Sequence, residues 1–479
     1  MDTKTVRTRF APSPTGMLHI GGLRTALFGW LWARKNKGEF IIRIEDTDRT
    51  RLVEGATEQI LSSISALGMD WDFGPDKPGP FGSCIQSERL MSYHERIEEL
   101  IEKGIAYRDY RTSEELEAMR AQAVAEKRAF VYKKSMAKLE GDITQQHVIR
   151  IQIPEDRQFI WEDAVKGLQT WSSKDVDDFV AVKGDGFPTY HFANVCDDHD
   201  MSITHVIRAD EWLASTPKHL WLWEAFGWEI PVYAHVPPIF GPDGKKKLSK
   251  RDGAQDVSDY ISDGYTKEAL MNFLALIGWN DGTEKEFYTP EELIAAFDLS
   301  RIQKSGARFD AVKLEWMNGV HIRAMSPEEL YTRSEGWWHP AAENFPAEYK
   351  KEVLRLNRER LKKFSELSEL TWFFFKDPSP TQELIDMILS ETGLDKVTAH
   401  SYIDTVLETT RACDFKEDVL HDTIYGLCEK LQTKPAILFK LIRIGIVGGK
   451  NAPGLFETME TLGKETTIRR LERIQSVLA

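Results

Sequence analysis

Residues 11–27, which read "APSPTGMLHIGGLRTAL", decide the fold of the first part of the chain. Prolines and glycines end a short extended segment, and a helix with leucine spacing begins directly after them. The stretch "EFIIRIEDTD", which starts at residue 39, places isoleucines on both faces, as a buried parallel strand does. The order strand, turn, helix, strand predicts a βαβ unit and therefore the start of an open α/β sheet.

The turn at residues 11–19 also points to a ligand. Open α/β sheets bind ligands at the carboxyl ends of their strands. The N-terminus of the helix that follows offers unpaired N–H groups and a positive dipole end to a phosphate. His19 can donate a further hydrogen bond to a phosphoryl oxygen. From these residues alone, a plain strand-to-helix connection with an incidental histidine is equally compatible.

A second loop carries the charge that a phosphate site needs. Residues 245–251, "KKKLSKR", hold five cations in seven positions between two glycines. Such a charge run is usually a solvated surface loop. Ser249 and the flanking glycines also suit a flap that folds over phosphates, to which Lys250 would bring a point charge. The loop is not a Walker A motif, because the spacing GxxxxGK[ST] does not occur in the chain.

The composition excludes several classes of protein. A length of 479 residues predicts two to four domains, and the net charge of −14 opposes indiscriminate nucleic-acid binding while allowing a local basic track. No apolar run approaches the ~20 residues that cross a bilayer. The opening "MDTKTVRTRF" lacks the apolar core of a signal peptide, and the four cysteines form no CxxC pair. We therefore expect a protein of the reducing cytoplasm without a membrane partner.

The pattern along the chain predicts three regions. The segment from about 107 to 180 is polar and irregular, and we interpret it as an insertion between two halves of the sheet. From about residue 326 onward, helical periodicity dominates to the end of the chain. The prediction is an α/β Rossmann-type domain over 1–325 with an α+β insertion, followed by an all-α region over 326–479.

The two loops resemble the signatures of a known family. "LHIGG" and "KLSKR" match the HIGH and KMSKS motifs of class I aminoacyl-tRNA synthetases. The longer stretches "RFAPSPTGMLHIGGLRTALF", "FIIRIEDTD", "DGFPTYHFANVCDDHDMSITHVIRADEWLASTPKH" and "GKKKLSKRDGA" resemble the bacterial glutamyl-tRNA synthetase family. The resemblance is dense up to about residue 325 and sparser beyond it. Gly22 replaces the last histidine of HIGH, which is a common variant among the glutamyl enzymes.

The resemblance implies a two-step reaction. The carboxylate of L-glutamate attacks the α-phosphate of ATP, which gives glutamyl-adenylate and pyrophosphate. The 3'-terminal adenosine of tRNA-Glu then takes the glutamyl group and releases AMP. ATP is expected with Mg²⁺, the protein is expected to be a monomer, and charging of tRNA-Gln stays open. The insertion at about 107–180 would bind the acceptor stem, about 256–325 would contact the stem, and 326–479 would bind the anticodon.

The resemblance also assigns roles to residues. The catalytic pair would be His19 and Lys250. By the same resemblance, the ATP-binding residues would be His19, Gly21, Glu211, Trp212, Lys247, Ser249 and Lys250. Arg9 and Arg208 would clamp the carboxylates of glutamate and Glu45 would pair with its α-ammonium. Ser13, Tyr190 and Asn194 would complete this pocket.

We expect no metal centre and no zinc. The cluster "CDDHDM" at 196–201 has metal-ligand residue types but no second histidine at ligand spacing. Some family members hold zinc after "AYR", whereas "AYRDYRTSEEL" here contains no cysteine. Asp46 and Asp48 suit either ion pairs with neighbouring arginines or a ligand role.

A basic stretch in the last region indicates RNA. Residues 350–363, "KKEVLRLNRERLKK", hold seven cations and two anions on a predicted helix. A solvated helix with internal salt bridges is the simpler interpretation. Under the resemblance, Arg358 and Arg360 become candidates for reading the anticodon. The segment "WFFF" at 372–375 is interpreted as bundle core, and the arginines of the C-terminal tail remain ambiguous.

Three other functions compete with this one. Glutaminyl-tRNA synthetase shares the catalytic core, but its anticodon domains are β-barrels. A truncated relative glutamylates a modified tRNA base and lacks an anticodon domain. The additional C-terminal residues of the present chain argue against this function. A catalytically silent RNA-binding relative is opposed by the presence of His19, Lys250, Arg9 and Arg208.

Overall fold

The computed structural model describes residues 4–16, 18–246, 248 and 255–479. These residues form two compact units. The first contains the described residues up to Ile261 together with Lys267–Ala311, and the second contains Ser262–Thr266 and Val312–Ala479. The boundary expected at residues 325 and 326 remains a prediction.

A mixed sheet forms the centre of the first unit. Within the described residues it has six strands, in the spatial order Glu39–Ile42 (β2), Arg7–Phe10 (β1), His205–Ala209 (β8), Val232–Val236 (β9), Gln158–Asp163 (β5) and Gly167–Ser172 (β6). Neighbours from β2 to β5 run parallel, and β6 pairs antiparallel with β5. The parallel part and its crossover helices confirm the predicted Rossmann-type α/β class.

The smaller strands lie outside this sheet. Ala106–Asp109 (β3), Val148–Ile151 (β4) and Val180–Val182 (β7) form an antiparallel sheet, and Ile239–Phe240 (β10) pairs with Ala307–Arg308 (β11). The antiparallel sheet confirms α+β structure in the segment expected to be an insertion. One part of that segment behaves differently, because β5 and β6 join the central sheet.

Helices flank the sheets of the first unit. Their bounds are Ile20–Lys35 (α1), Ala56–Ala66 (α2), Leu90–Glu102 (α3), Ser113–Ala125 (α4), Tyr190–Asp200 (α5), Thr216–Phe226 (α6), Val257–Ser262 (α7), Lys267–Leu276 (α8) and Pro290–Ala296 (α9). The leucine-spaced face of α1 is buried, as the sequence predicted. Gly38 follows α1, and a Cβ there would lie 2.0 Å from the Val6 carbonyl oxygen, so only glycine allows this tight return into β2.

The second unit is helical throughout. Its helices are Ala311–Ala324 (α10), Pro327–Ser334 (α11), Ala347–Asn357 (α12), Leu367–Phe375 (α13), Gln382–Thr392 (α14), Lys396–Ala412 (α15), Glu417–Lys430 (α16), Pro435–Val447 (α17), Leu455–Leu462 (α18) and Lys464–Leu478 (α19). Phe373, Phe374 and Phe375 are buried in its core, which confirms the interpretation of "WFFF". No helix of the described residues is both long and apolar enough to span a bilayer.

Candidate active site

A pocket of about 580 Å³ opens at the carboxyl ends of β1 and β8. The structure brings most of the sequence-predicted residues together at this pocket. Those that line it are Arg9, Ser13, His19, Glu45, Tyr190, Asn194, Arg208, Glu211 and Trp212. This is the edge at which parallel sheets bind ligands, because the loops that follow the strands converge there.

His19 is the N-cap of α1. Its Nδ1 accepts a hydrogen bond from the backbone N–H of Gly22 at 3.2 Å. In the neutral ring the proton is then on Nε2, which makes that nitrogen a donor. Gly21 allows this geometry, because a Cβ there would lie 3.0 Å from Nδ1 of His19. Gly21 thus leaves space for the imidazole, and it is not among the residues that line the pocket.

Arg9 is anchored by a buried carboxylate. Its Nε and Nη2 donate to the two oxygens of Asp198 at 3.0 and 3.3 Å. Asp198 also accepts from Nη1 of Arg43 at 2.7 Å. Burial opposes the ionisation of Asp198, but the two guanidinium groups outweigh it and lower the pKa of this carboxyl. Arg9 therefore reaches the pocket with its charge already paired.

Glu45 is the carboxylate on the same side of the pocket. Its Oε1 accepts from Nη2 of Arg43 at 3.1 Å and from Nδ2 of Asn194 at 3.0 Å. Burial raises the pKa of Glu45, and the neighbouring Arg43 offsets this only in part. A cationic group that entered the pocket would favour the ionised form. The arrangement suits an ammonium ligand.

Arg208 lies on β8, the strand next to that of Arg9, and is held differently. Its Nε donates to Nε2 of His235 at 3.0 Å, and its Nη1 donates to Nδ1 of His219 at 2.8 Å. Nη2 donates to the hydroxyl of Thr216 at 3.0 Å. Among the residues that the structure describes, no carboxylate forms an ion pair with this guanidinium.

Two aromatic rings close the pocket beside Arg208. The rings of Tyr190 and Trp212 lie 4.2 Å apart between centroids. The Tyr190 hydroxyl accepts from Nη1 of Arg208 at 3.5 Å, the longest contact of that guanidinium. Burial raises the pKa of Tyr190, so its hydroxyl stays protonated. A flat ring or a carboxylate could lie against this wall.

Three predicted residues cannot be placed. Lys247, Ser249 and Lys250 lie outside the described residues, so the meeting of His19 with Lys250 stays a prediction. Asp46 and Asp48 are described, and both form ion pairs: Asp46 with Arg49 at 3.3 Å and Asp48 with Arg51 at 2.6 Å.

Comparisons with known proteins identify the family of the chain. Residues 5–316 match the catalytic domain of class I tRNA synthetases (E and Q), and residues 329–475 match an anticodon binding domain. A glutamate–tRNA ligase of Dehalococcoides mccartyi is 43% identical over 98% of this chain and 97% of its own length. The chain belongs to the glutamate–tRNA ligase family.

Other members of the glutamate–tRNA ligase family give the same result. That of Herpetosiphon aurantiacus is 42% identical over 99% of this chain and 98% of its own length. A crystal structure of a glutamate–tRNA ligase from Elizabethkingia meningosepticum, in complex with its amino acid, aligns with a TM-score of 0.91. It is 34% identical and covers 99% of this chain and 100% of that one. As a class I synthetase, a member of this family uses ATP.

The acidic cluster at 196–201 is held by ion pairs. Asp197 and Asp200 both accept from Arg89, at 2.7 and 2.8 Å, so these carboxylates are used within the fold. In the part of the chain that the structure describes, no three His, Cys, Asp or Glu side chains form a group that could hold a metal ion. The absence of zinc remains an expectation.

In the anticodon-binding region, the two candidate arginines differ. The charge run predicted a helix over 350–363, whereas the observed helix α12 ends at Asn357. Arg358 follows as the C-cap residue and donates to the carbonyl oxygens of Arg323 and Met325. Its guanidinium is thus used within the fold.

Arg360 has a different environment. Its buried Nη1 and the buried Nε of Arg443 have no hydrogen-bond partner among the described residues. Burial and the nearby charge of Arg443 lower the pKa of Arg360. Two adjacent cations without a carboxylate form a site that suits an anion. Sequence reasoning missed Arg443, which lies on α17 in an apolar stretch and carries no local charge signal.

The arginines of the tail, by contrast, have a structural role. Arg469, Arg470 and Arg473 all contact Asp377, at 3.0, 2.9 and 2.8 Å. Burial opposes the ionisation of Asp377, but the bonds from Arg469 and Arg470 outweigh it and lower the pKa of this carboxyl to about 2.

Proposed function

We propose that this chain activates L-glutamate with ATP and transfers it to the 3'-terminal adenosine of tRNA-Glu. Family membership supports this directly. The observation that carries the chemistry is one pocket lined by two guanidinium groups, those of Arg9 and Arg208, and by the buried carboxylate of Glu45 just after strand β2. Such a pocket complements an amino acid that has two carboxylates and one ammonium group.

Glutamate would be held by groups already in place. Arg9 and Arg208 would each donate to a carboxylate of the substrate, since a planar guanidinium bonds a carboxylate through two donors. Glu45 and Asn194 would accept from the α-ammonium. Ser13 and Tyr190 would complete the contacts at the mouth and the wall of the pocket.

ATP would lie at the N-terminus of α1. The attacking carboxylate is already an anion, so catalysis depends on position and on neutralising the charge that develops on the phosphates. We propose that Nε2 of His19 donates to a phosphate oxygen. Lys247, Ser249 and Lys250 would act from the second signature loop. Glu211 and Trp212 would contact the adenosine.

Mg²⁺ would enter with ATP as part of the substrate. The described carboxylates that line the pocket are Glu45 and Glu211. A pair of that kind does not form a dedicated cage, and Mg²⁺ usually keeps several waters and phosphate oxygens as ligands. The protein's part is therefore to hold the phosphates rather than the ion.

tRNA would be bound at several places along the chain. We propose that the segment at about 107–180 contacts the acceptor stem, that about 256–325 contacts the stem, and that Arg360 with Arg443 contacts the anticodon loop. Arg358 is the weaker candidate, because its guanidinium is engaged with backbone carbonyls. Cytoplasmic localisation and a monomeric state are part of the same proposal.

The decisive experiment charges purified tRNA-Glu and tRNA-Gln side by side with labelled glutamate. ATP–pyrophosphate exchange is measured in parallel, with tRNA present, because members of this family generally need it for activation. Glutamate-dependent exchange and charging of tRNA-Glu are expected. Glutamine-dependent exchange without glutamate-dependent exchange would contradict the proposal. Equal charging of tRNA-Gln would identify a non-discriminating enzyme.

A further inference from the structure

Arg208 is surrounded by uncharged acceptors. Its three nitrogens contact two imidazoles, the hydroxyls of Thr216 and Tyr190, and the backbone carbonyl of Trp212. Both imidazoles are completely buried, and so is most of the guanidinium. A buried charge is normally paired with an opposite charge, since desolvation is costly. Here the described residues supply hydrogen bonds in place of a carboxylate.

The arginine determines which ring nitrogens carry protons. A guanidinium stays protonated in proteins and can only donate. Nδ1 of His219 and Nε2 of His235 must therefore be acceptors. The proton of His219 is then on Nε2, which donates to Nδ1 of His191 at 3.1 Å. The proton of His235 is on Nδ1, which donates to Asp163 at 2.5 Å.

Burial keeps these rings neutral. Desolvation and the charge of Arg208 lower the pKa of His219 well below its usual value. Desolvation also lowers the pKa of His235, although Asp163 acts in the opposite direction. Two neutral acceptors thus fix the guanidinium plane, and the nearby carboxylate of Asp163 contacts His235 rather than Arg208.

We infer that His219 and His235 are positioning residues that determine specificity for an anionic side chain. They orient Arg208 and leave its guanidinium without a directly bound carboxylate, so that the substrate's carboxylate becomes its direct counter-ion. The inference rests on the proposed function and deepens it. Arg9, whose charge is already paired with Asp198, would contribute donors but less net attraction.

The hydroxyl of Tyr190 marks where the carboxylate would enter. Its contact with Nη1 of Arg208 is the longest of the set at 3.5 Å, whereas that of His219 to the same nitrogen is 2.8 Å. An incoming carboxylate oxygen can replace the weaker acceptor while both imidazoles remain bound. A neutral carboxamide at this position would leave the buried charge without a counter-ion.

The test uses variants that separate acceptor, charge and volume. His219→Asn keeps an acceptor the same number of bonds from the backbone as Nδ1, and His219→Leu removes it. His219→Asp keeps the acceptor and adds a negative charge. His235→Gln and His235→Leu form the matched pair at Nε2. The full-length variants are assayed by ATP–pyrophosphate exchange with tRNA-Glu, with glutamate, glutamine and ATP varied separately.

Loss of a hydrogen bond to a charged group is expected to raise KM for glutamate about tenfold or more in both leucine variants. KM for ATP should change less than about twofold, and the asparagine and glutamine variants should stay close to wild type. His219→Asp should lower the ratio of kcat/KM for glutamate over glutamine by at least about tenfold, because it neutralises Arg208.

Two results would overturn the inference. One is an equal rise of KM for glutamate and ATP in the leucine variants, without rescue by His219→Asn or His235→Gln. The other is an unchanged glutamate-to-glutamine ratio in His219→Asp. Failure of the proposed function would look different, since the wild-type chain itself would then show no glutamate-dependent exchange. Thermal unfolding followed by circular dichroism identifies a variant that does not fold, and the acceptor-retaining variants then carry the test.

Discussion

The arginines around the pocket of the catalytic unit have carboxylate or neutral partners, whereas Arg360 and Arg443 of the helical unit form no ion pair among the described residues. Around the pocket, Arg9 and Arg43 share Asp198, and Arg208 has acceptors on all three nitrogens. In the helical unit, Arg360 and Arg443 each keep a buried nitrogen without a partner among the described residues. The first arrangement suits a small anion that must be held in one orientation. The second leaves two adjacent positive charges without a counter-ion among the described residues, which favours an anionic partner.

The largest effect should come from removing the carboxylate that two arginines share. Asp198→Ala leaves Arg9 buried without its carboxylate and Arg43 with Glu45, and breaking such a buried pair costs about 3–5 kcal/mol of unfolding free energy. Urea unfolding measures this loss. Asp48→Ala is the matched control, because its ion pair with Arg51 is exposed and should leave the stability nearly unchanged. Equal stability of both variants would show that the buried network is not needed.

Arg208 should affect substrate binding more than stability. Arg208→Ala removes a charged donor from the pocket, so KM for glutamate should rise by about 10- to 100-fold while KM for ATP changes little. Arg208→Lys should rescue little of this, since one ammonium cannot reproduce the planar set of bonds to His219 and His235. Steady-state exchange kinetics measure both constants. A parallel rise of the two would contradict the assignment of this residue to glutamate.

These contrasts show what the sequence could predict. The stretch at 11–27 predicted the βαβ unit, because its turn residues and leucine spacing are local features. Arg9 and Arg208 were found through the family resemblance. Their partners were not, because Asp198 lies 189 positions from Arg9 and belongs to a cluster for which the sequence analysis expected only the absence of a metal. The sequence around His219 and His235 does not indicate a role beside Arg208, since a histidine in an apolar helix or strand is usually a core residue.

The sequence analysis also did not predict the residue at which helix α12 ends. The cations continue to Lys363, yet α12 ends at Asn357, whose side chain bonds back to the carbonyl of Val353 at 2.8 Å. Charge periodicity contains no stop signal, so the helix was predicted too long. This shift matters, because it places Arg358 and Arg360 outside the helix and separates their roles.

In the helical unit, tRNA binding tests whether Arg360 contacts an anion. Arg360→Ala should weaken tRNA-Glu binding and reduce the slope of log Kd against log salt by about 0.7, as expected for one contact to a single-stranded phosphate. Filter binding at several salt concentrations measures the slope. Arg355→Ala is the control, because Arg355 pairs with Glu352 at 2.8 Å and should leave the slope unchanged. A change in the control alone would assign the basic track to another face.

The smallest effect should come from the arginines that are paired in the tail. Asp377 has a pKa lowered to about 2 by its bonds to Arg469 and Arg470, so its stabilisation is complete above the unfolded pKa of about 4. It is lost as the pH falls towards 2. Asp377→Asn should therefore lower Tm at neutral pH, and the difference from wild type should shrink between about pH 4 and 2. The exposed Asp422→Asn is the control for both curves, and a difference that stays constant down to pH 2 would show that the charge of Asp377 is not what stabilises the tail.

Strand β5 lies within the segment at about 107–180 that was expected to bind the acceptor stem, and it ends at Asp163, the partner of His235. The segment at about 107–180 therefore contributes a residue that supports the amino-acid pocket. A chimera that exchanged this segment between two enzymes would also exchange Asp163, and with it a contact that holds His235 beside Arg208. A substitution in β5 is therefore expected to alter glutamate binding through His235 even where it leaves the proposed acceptor-stem contacts unchanged.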